Sequence, residues 1–107
     1  MSELLRRGDV VWVAGELPGD PPHPHVVLSI DDGAIDACAV TSNVGRAKGA
    51  GNVLLTAGEA GLERESVILA AVMTVPRSRI GAAIGSLSAE RLEELERGVA
   101  FVERLRR

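Results

Sequence analysis

The stretch "HPHVVLSIDDGAIDACAV", residues 23–40, decides the fold. Two largely apolar runs, residues 25–30 and 34–40, stand on either side of the dipeptide Asp32-Gly33. An Asp-Gly pair between two such runs is typical of a β-hairpin, because both residue types tolerate the backbone angles of a tight turn. The stretch therefore predicts two consecutive strands joined by a short turn.

Three further strands are predicted before and after this pair. "GDVVWVA" (residues 8–14) is a β-branched run opened by a glycine, and "NVLLT" (residues 52–56) is a short apolar run. "SVILAAVMTV" (residues 66–75) is apolar almost throughout, which favours a strand that is buried on both faces and ended by Pro76.

The segments between these strands are predicted as loops. Residues 15–24 contain four of the five prolines, and proline lacks the N–H donor that a strand or helix interior needs. Residues 41–51 form a flexible basic segment that carries Arg46 and Lys48. The glycines of "GAAIG", residues 81–85, lack the spacing of a nucleotide-binding loop and indicate turns or tight packing.

The C-terminal segment is predicted as an amphipathic helix. Ser88 can cap its first free amides, and Leu87 and Leu92 have the spacing of a hydrophobic staple. Gly98 weakens the helix by about 1 kcal/mol relative to alanine unless close packing requires it. Apolar residues recur every three or four positions and are expected in the core: Leu92, Leu95, Val99, Val102 and Leu105. The fold class is therefore mainly β with α, a strongly bent sheet or small barrel with one terminal helix.

Length and composition predict one soluble domain spanning residues 1–107. The net charge of −3 disfavours a general polyanion binder. The single Cys38 excludes an internal disulfide and a cysteine-rich zinc site. The start "MSELLRR" has no apolar signal core and no run approaches the roughly 20 apolar residues of a membrane span, so a cytoplasmic protein without membrane contact is expected. Trp12 lies inside an apolar strand, which favours core or dimer packing over base stacking.

Five segments in order resemble the PemK/MazF-like toxins. They are "RRGDVVWVAGELPG", "HPHVVLSID", "AVTSN", "AGEAGLERESVIL" and "TVPRSRIGAAIGSLSAERLEEL". The resemblance implies an SH3-like barrel of the PemK/CcdB-like toxin fold and a homodimer. It also implies the toxin component of a type II toxin-antitoxin system, which cleaves single-stranded RNA without metal or other cofactor. A cognate antitoxin would inhibit it by laying a disordered segment across the active surface.

The chain departs from the family pattern at two places. The family usually has an Arg-Pro pair at the start of the second strand, where this chain has His23 before Pro24. Some members rely on a charged residue in the strand where this chain has Ala70 and Ala71. The usual catalytic threonine and the serine after it are matched by Thr41 and Ser42, as the resemblance implies.

The residues also allow RNA cleavage to be reasoned directly. Metal-independent cleavage needs a base, an acid and positive charge near the phosphorane, and histidine can serve in any of these roles. In an extended strand the rings of His23 and His25 leave the same face about 6.6 Å apart, which leaves room for one phosphate. Thr41 and Ser42 could donate hydrogen bonds to it. The predicted products carry a 2′,3′-cyclic phosphate and a 5′-hydroxyl.

Four basic residues are candidate RNA contacts. Arg46 and Lys48 could hold the adjacent phosphate, and Arg77 and Arg79 form either an RNA contact or a solvated turn. Metal ligation is disfavoured, because a site needs three or four ligands and the chain has only two histidines and one cysteine.

Two other interpretations remain open. The two histidines and Thr41 can be ordinary polar residues at strand ends. The protein can also be a catalytically degenerate toxin fold that only binds an antitoxin segment, RNA or a target such as DNA gyrase, or a structural subunit that depends on a partner.

Overall fold

The chain folds into a six-stranded antiparallel sheet and one C-terminal helix. The computed structural model describes residues 4–106, so the first three residues of "MSELLRR" lie outside the described part. The order of strands across the sheet is β4-β5-β3-β2-β1-β6. The bounds are β1 (Asp9–Val13), β2 (His23–Ile30), β3 (Ala34–Thr41), β4 (Val53–Leu55), β5 (Ser66–Pro76), β6 (Ile80–Ser86) and α1 (Ala89–Leu105).

The predicted hairpin is confirmed as β2 and β3, with the Asp32-Gly33 turn between them. β2 begins two residues earlier than expected, so His23 and Pro24 belong to the strand and not to the preceding loop. Pro24 lies opposite Trp12 of β1, while pairing with β3 starts only at His25. The missing N–H of Pro24 therefore interrupts neither ladder, as expected for a proline near the start of a strand.

A sixth strand, β6, was not predicted. "IGAAIGS" lacks the β-branched residues that indicate a strand, yet it pairs with β1 through a ladder with two register shifts. The predicted tight packing of its glycines is confirmed at Gly85. A Cβ on Gly85 would overlap the carbonyl oxygen of Ala60, and one on Gly61 would overlap that of Ile84.

This glycine contact brings the two margins of the sheet together. Gly61 ends the 3₁₀ turn Glu59–Gly61, which follows β4 at one margin, and Gly85 belongs to β6 at the other. In residues 4–106 no ladder joins β4 to β6, so the sheet bends toward a barrel without closing it. The predicted fold class, mainly β with a C-terminal helix, is otherwise confirmed.

The prediction that β5 is buried on both faces holds only for its first half. Val67 and Ile68 are fully buried, whereas residues 71–74 are exposed. β4 pairs with β5 only from Ser66 to Ile68, so the second half of β5 has β3 as its one neighbour in the described sheet.

Helix α1 begins as predicted, with the Ser88 hydroxyl accepting a hydrogen bond from the Arg91 amide. Leu95 and Gly98 are buried, but Leu105 is 62% exposed, so the apolar stripe leaves the core before the helix ends. The core cluster that Leu95 joins also contains Val10, Val26, Cys38, Val40, Val53, Leu55, Leu62 and Ile68.

The part of the chain that the structure describes has no helix of the length and hydrophobicity that a bilayer crossing requires.

A second core cluster lies on the other face of β1 and β2. In an extended strand neighbouring side chains leave opposite faces, so Val10 and Val26 belong to the first cluster while Val11 and Val27 belong to the second. The second cluster consists of Val11, Val13, Val27, Ile35, Ala37 and Val75. Burial on both faces makes the middle of the sheet a rigid support for the strand ends.

Candidate active site

A cleft of about 600 Å³ lies where β2 begins and β3 ends. Its walls come from five places in the chain: β1, the segment around Pro24, the end of β3, residues 61–66, and Ile84 of β6. The buried core residues Val40 and Leu62 also line it. The cleft therefore sits above the rigid core and beside the glycine contact that joins the sheet margins.

The structure brings His23, Thr41 and Ser42 to this one cleft. The pairing of β2 with β3 explains why: His25 pairs with Ala39, and continuing that register by two residues sets Thr41 opposite His23. The imidazole and the hydroxyl thus belong to residues at neighbouring strand ends that line the same cleft.

Hydrogen bonding leaves the Thr41 hydroxyl able to donate. Thr41 Oγ1 accepts a hydrogen bond from the Asn43 amide at 3.1 Å, and the Asn43 side chain in turn accepts from the Gly45 amide at 3.1 Å. With the oxygen occupied as an acceptor, the O–H of Thr41 remains available for a ligand oxygen. Ser42 is exposed next to it.

His25, also a predicted site residue, is not among the residues that line the cleft and is buried, with 7% of its surface exposed. Burial lowers the pKa of its imidazole, and the nearby charges of His23 and Arg79 lower it further, against the opposing effect of the backbone contact with His23. Its Nδ1 lies 3.1 Å from the carbonyl oxygen of His23, a contact that places the ring proton on that nitrogen. The arrangement favours a neutral imidazole that holds the start of β2 in place.

The four basic residues that the sequence singles out do not line the cleft in the described chain. Arg46 and Lys48 are exposed in the 3₁₀ turn Val44–Lys48, which starts two residues after Ser42. Arg77 is exposed in the 3₁₀ turn Arg77–Arg79.

Arg79 is instead tied to the loop between β1 and β2. Its Nε and one terminal nitrogen donate to the carbonyl oxygen of Ala14 at 3.0 and 2.7 Å, and another nitrogen lies 3.9 Å from Glu16. The loop whose far end carries Pro22 into the cleft is therefore held at its start by this guanidinium.

Residues that sequence reasoning missed also line the cleft, among them Arg64 and Trp12. Arg64 lies in a charged segment, "LERES", which is typical of a solvated surface. Within residues 4–106 its guanidinium forms neither an ion pair nor a hydrogen bond. Trp12 was expected in the core or in dimer packing; it is 39% exposed and lines the cleft, so it is not a core residue. No pattern in an all-apolar strand distinguishes its outward position.

Two further features of the described residues concern metal binding and the single thiol. No group of three or more His, Cys, Asp or Glu side chains lies close enough to hold a metal ion in residues 4–106. Burial raises the pKa of the Cys38 thiol to about 12, so this residue is not poised to act as a nucleophile. The polar groups of the cleft are those of His23, Thr41, Ser42, Arg64, Glu63 and Ser66.

The chain matches one family model over most of its length. That model describes the PemK-like, MazF-like toxin of type II toxin-antitoxin systems, and it matches residues 6–102. No curated protein sequence matches the chain.

Three solved structures have the same fold. The toxin MazF-mt6 of Mycobacterium tuberculosis has a TM-score of 0.70 at 21% identity, over 86% of this chain and 92% of that one. An endoribonuclease from a mycobacterial species has a TM-score of 0.68 at 16% identity, over 88% and 86%. An endoribonuclease in complex with its cognate antitoxin, also mycobacterial, has a TM-score of 0.67 at 15% identity, over 88% and 87%.

Proposed function

Because the chain belongs to the family of PemK-like, MazF-like toxins of type II toxin-antitoxin systems, we propose that it is an endoribonuclease that cleaves single-stranded RNA. The names of two similar structures, both endoribonucleases, support this activity. A cognate antitoxin is the proposed inhibitor, since one of those enzymes is bound to its own. We place the protein in the cytoplasm as a homodimer, as the resemblance implies.

One observation carries the proposal: His23, Thr41, Ser42 and Arg64 line the same cleft. In the proposed reaction His23 takes the proton of the 2′-hydroxyl, and the 2′-oxygen then attacks phosphorus. Thr41 and Ser42 donate hydrogen bonds to the non-bridging oxygens, while Arg64 supplies positive charge near the developing phosphorane. The bond to the 5′-oxygen breaks, and water protonates that oxygen. The products are a 2′,3′-cyclic phosphate and a 5′-hydroxyl.

The remaining predicted site residues have supporting roles in this proposal. His25 acts through its contact with the His23 carbonyl and not by touching RNA, because it is buried. Arg46 and Lys48 are exposed shortly after Ser42 and can contact phosphates of flanking nucleotides. Arg77 can do the same from its turn, and Arg79 holds the loop that borders the cleft.

The test is cleavage of a long RNA in the presence of EDTA. We expect the wild type to cleave it, and His23→Ala and Thr41→Ala to be slower by about 100-fold or more. Thr74→Ala is the matched control, because Thr74 is an exposed threonine bonded to Asp36 at the opposite end of β3. An RNA with 2′-O-methyl groups should resist cleavage. An inactive wild type, or equal rates for all variants, would contradict the proposal.

The alternative, a toxin fold that binds without cutting, is favoured by two features of the same cleft. A histidine stands where the family usually has an arginine, which removes a permanent charge and a bidentate donor. Glu63 adds a negative charge to the lining. If the protein binds the 2′-O-methyl RNA but does not cleave ordinary RNA, the result would support binding without cleavage.

A further inference from the structure

Trp12 occupies an unusual place for the chain's only tryptophan. Its neighbours in β1, Val11 and Val13, are at most 2% exposed, whereas Trp12 is 39% exposed and lines the cleft. Pro24 lies directly opposite Trp12 in the β1–β2 ladder and lines the cleft as well. The indole and the pyrrolidine ring thus form neighbouring parts of one apolar wall, which Ile84 of β6 extends.

The same cleft is also lined by polar residues, and these define the rest of the ligand. Thr41 and Ser42 carry hydroxyls and Arg64 a guanidinium, groups that bind phosphate oxygens, whereas Glu63 is the one carboxylate among the described residues that line the cleft. A ligand that contacts both kinds of residue has an anionic part and a flat apolar part within one unit. The volume of about 600 Å³ falls in the range of small-molecule sites and leaves room for a nucleotide.

From this arrangement we propose that Trp12 is a stacking platform for an unpaired nucleobase next to the phosphate that Thr41 and Arg64 contact. An exposed indole offers a π-face on which any base can stack, and such contacts are a main source of affinity for single strands. Pro24, directly opposite Trp12 in the ladder, adds apolar surface next to the indole. This inference rests on the proposal that the substrate is RNA, and it assigns the residue that holds a base there.

The composition makes the site directly observable. The chain has one tryptophan and no tyrosine, so its near-ultraviolet fluorescence comes from Trp12. The probe is a pool of ten-residue 2′-O-methyl oligonucleotides of mixed sequence, which cannot be cleaved. The control is an oligomer of equal length and charge that lacks bases. Each oligomer carries a fluorescent label at one end, and the anisotropy of that label shows when binding to the protein is saturated.

We expect the base-containing pool to quench the Trp12 emission at saturation, and the abasic oligomer to quench it several-fold less or to bind too weakly to saturate. Equal quenching by the two saturated oligomers, or saturation by the pool without quenching, would overturn the inference. This readout needs no cleavage, so an inactive enzyme that still shows base-dependent quenching would contradict only the nuclease proposal.

Variants separate stacking from stability. Trp12→Ala should weaken binding of the pool about tenfold, as expected for the loss of one stacked base. Trp12→Phe keeps an aromatic face and should retain affinity within about threefold. Phe101→Ala is the matched control, because Phe101 is the other aromatic residue, 44% exposed on α1 beneath the Arg104 guanidinium. If Trp12→Ala does not fold, Trp12→Phe and the quenching experiment still decide the question.

Discussion

Glu59 shows how a single side chain can position a wall of the cleft. Its carboxylate accepts hydrogen bonds from the Arg91 guanidinium, at 2.9 Å on each oxygen, and from the Thr56 amide at 2.7 Å. Arg91 also donates to Glu94 at 3.0 Å. The turn that leads to Gly61 and Arg64 is thereby fixed to the first turns of α1.

These contacts predict a defined acid sensitivity. The hydrogen bond from Arg91, helped by that from the Thr56 amide, lowers the pKa of Glu59 to about 2. A carboxyl group whose pKa is lower in the folded than in the unfolded state stabilises the fold above its unfolded pKa, and that stability is lost as the pH falls. Glu59→Gln should therefore reduce the free energy of unfolding by about 1–2 kcal/mol at pH 7. Its loss of stability between about pH 4.5 and pH 2 should be shallower than that of the wild type.

Urea unfolding at a series of pH values measures both effects. Glu93→Gln is the control, since Glu93 lies 3.9 Å from Arg97 in a pair whose side chains are more than 70% exposed. That change should alter stability by less than about 0.5 kcal/mol. Parallel acid limbs for wild type and Glu59→Gln would show that the carboxylate does not have the assigned role.

At the residue scale, the chemical types in the site were predictable and some positions were not. His23 and Thr41 stand out because they are rare polar residues at the ends of apolar runs. Trp12 and Arg64 do not stand out. Whether a residue in an apolar strand faces a core or a cleft depends on which elements cover it, and those come from distant parts of the chain.

The contact between α1 and the segment before β4 depends on two glycines. A Cβ on Gly98 would overlap the carbonyl oxygen of Gly51, and a Cβ on Gly51 would overlap that of Gly98. Gly51 also has a φ of +73°, which disfavours other residues. The helix therefore approaches this segment more closely than any other residue pair would permit, as the sequence suggested for Gly98.

Gly98→Ala tests this contact. Helix propensity alone would make alanine more stable by about 1 kcal/mol. Because the methyl group has no space, we expect the variant to be less stable by about 1–3 kcal/mol. Thermal or urea unfolding measures the change. Gly33→Ala is the matched control: nothing lies within 4 Å of a Cβ there, and its stability should stay within about 0.5 kcal/mol of the wild type. A stabilised Gly98→Ala variant would rule out the close approach.

At the scale of elements, the sequence predicted those that carry a strong pattern. The hairpin, β1, β4 and α1 follow from β-branched runs, turn residues and helical periodicity. β6 was missed because glycine and alanine fill it, and it is a strand only because β1 offers it a partner. The buried extent of β5 was overestimated, because the shortness of its neighbour β4 decides where burial ends.

The whole molecule can be probed through its one thiol. Cys38 lies in β3, fully buried in the cluster beneath α1, and burial raises its pKa to about 12. Alkylation by iodoacetamide at pH 8 should therefore require unfolding of the entire sheet, and be at least about 1,000-fold slower than in the unfolded chain. The rate should rise with urea in step with the unfolding equilibrium.

The control for this experiment is a cysteine placed at the surface. Ser78 is exposed in the turn Arg77–Arg79, so a Ser78→Cys variant in a Cys38→Ala background should react at the rate of a free thiol. Rapid labelling of Cys38 in the native protein would mean that the centre of the sheet opens locally. Such a result would contradict the rigid support assigned to the cleft.

Only one side of the cleft could be predicted from the sequence. The β2–β3 hairpin accounts for one side of the cleft, because its two strand ends carry His23 and Thr41. The opposite side of the cleft comes from residues 61–64 and Ile84, which reach it because the sheet bends until its margins touch. Sheet curvature arises from bulges and cross-strand packing, which no local run of residues encodes.

The meeting of Gly61 and Gly85 has a consequence for any occupant of the cleft. No ladder joins β4 to β6 in residues 4–106, so the two margins of the sheet are held together at this point by van der Waals contact and not by backbone hydrogen bonds. Since Gly61 and Ile84 both line the cleft, we expect a bound molecule to contact both margins, so that its binding free energy adds to the stability of the folded state. RNA or an antitoxin segment bound in the cleft would stabilise the contact between the two sheet margins. The bound toxin would then resist heat and proteases longer than the free toxin.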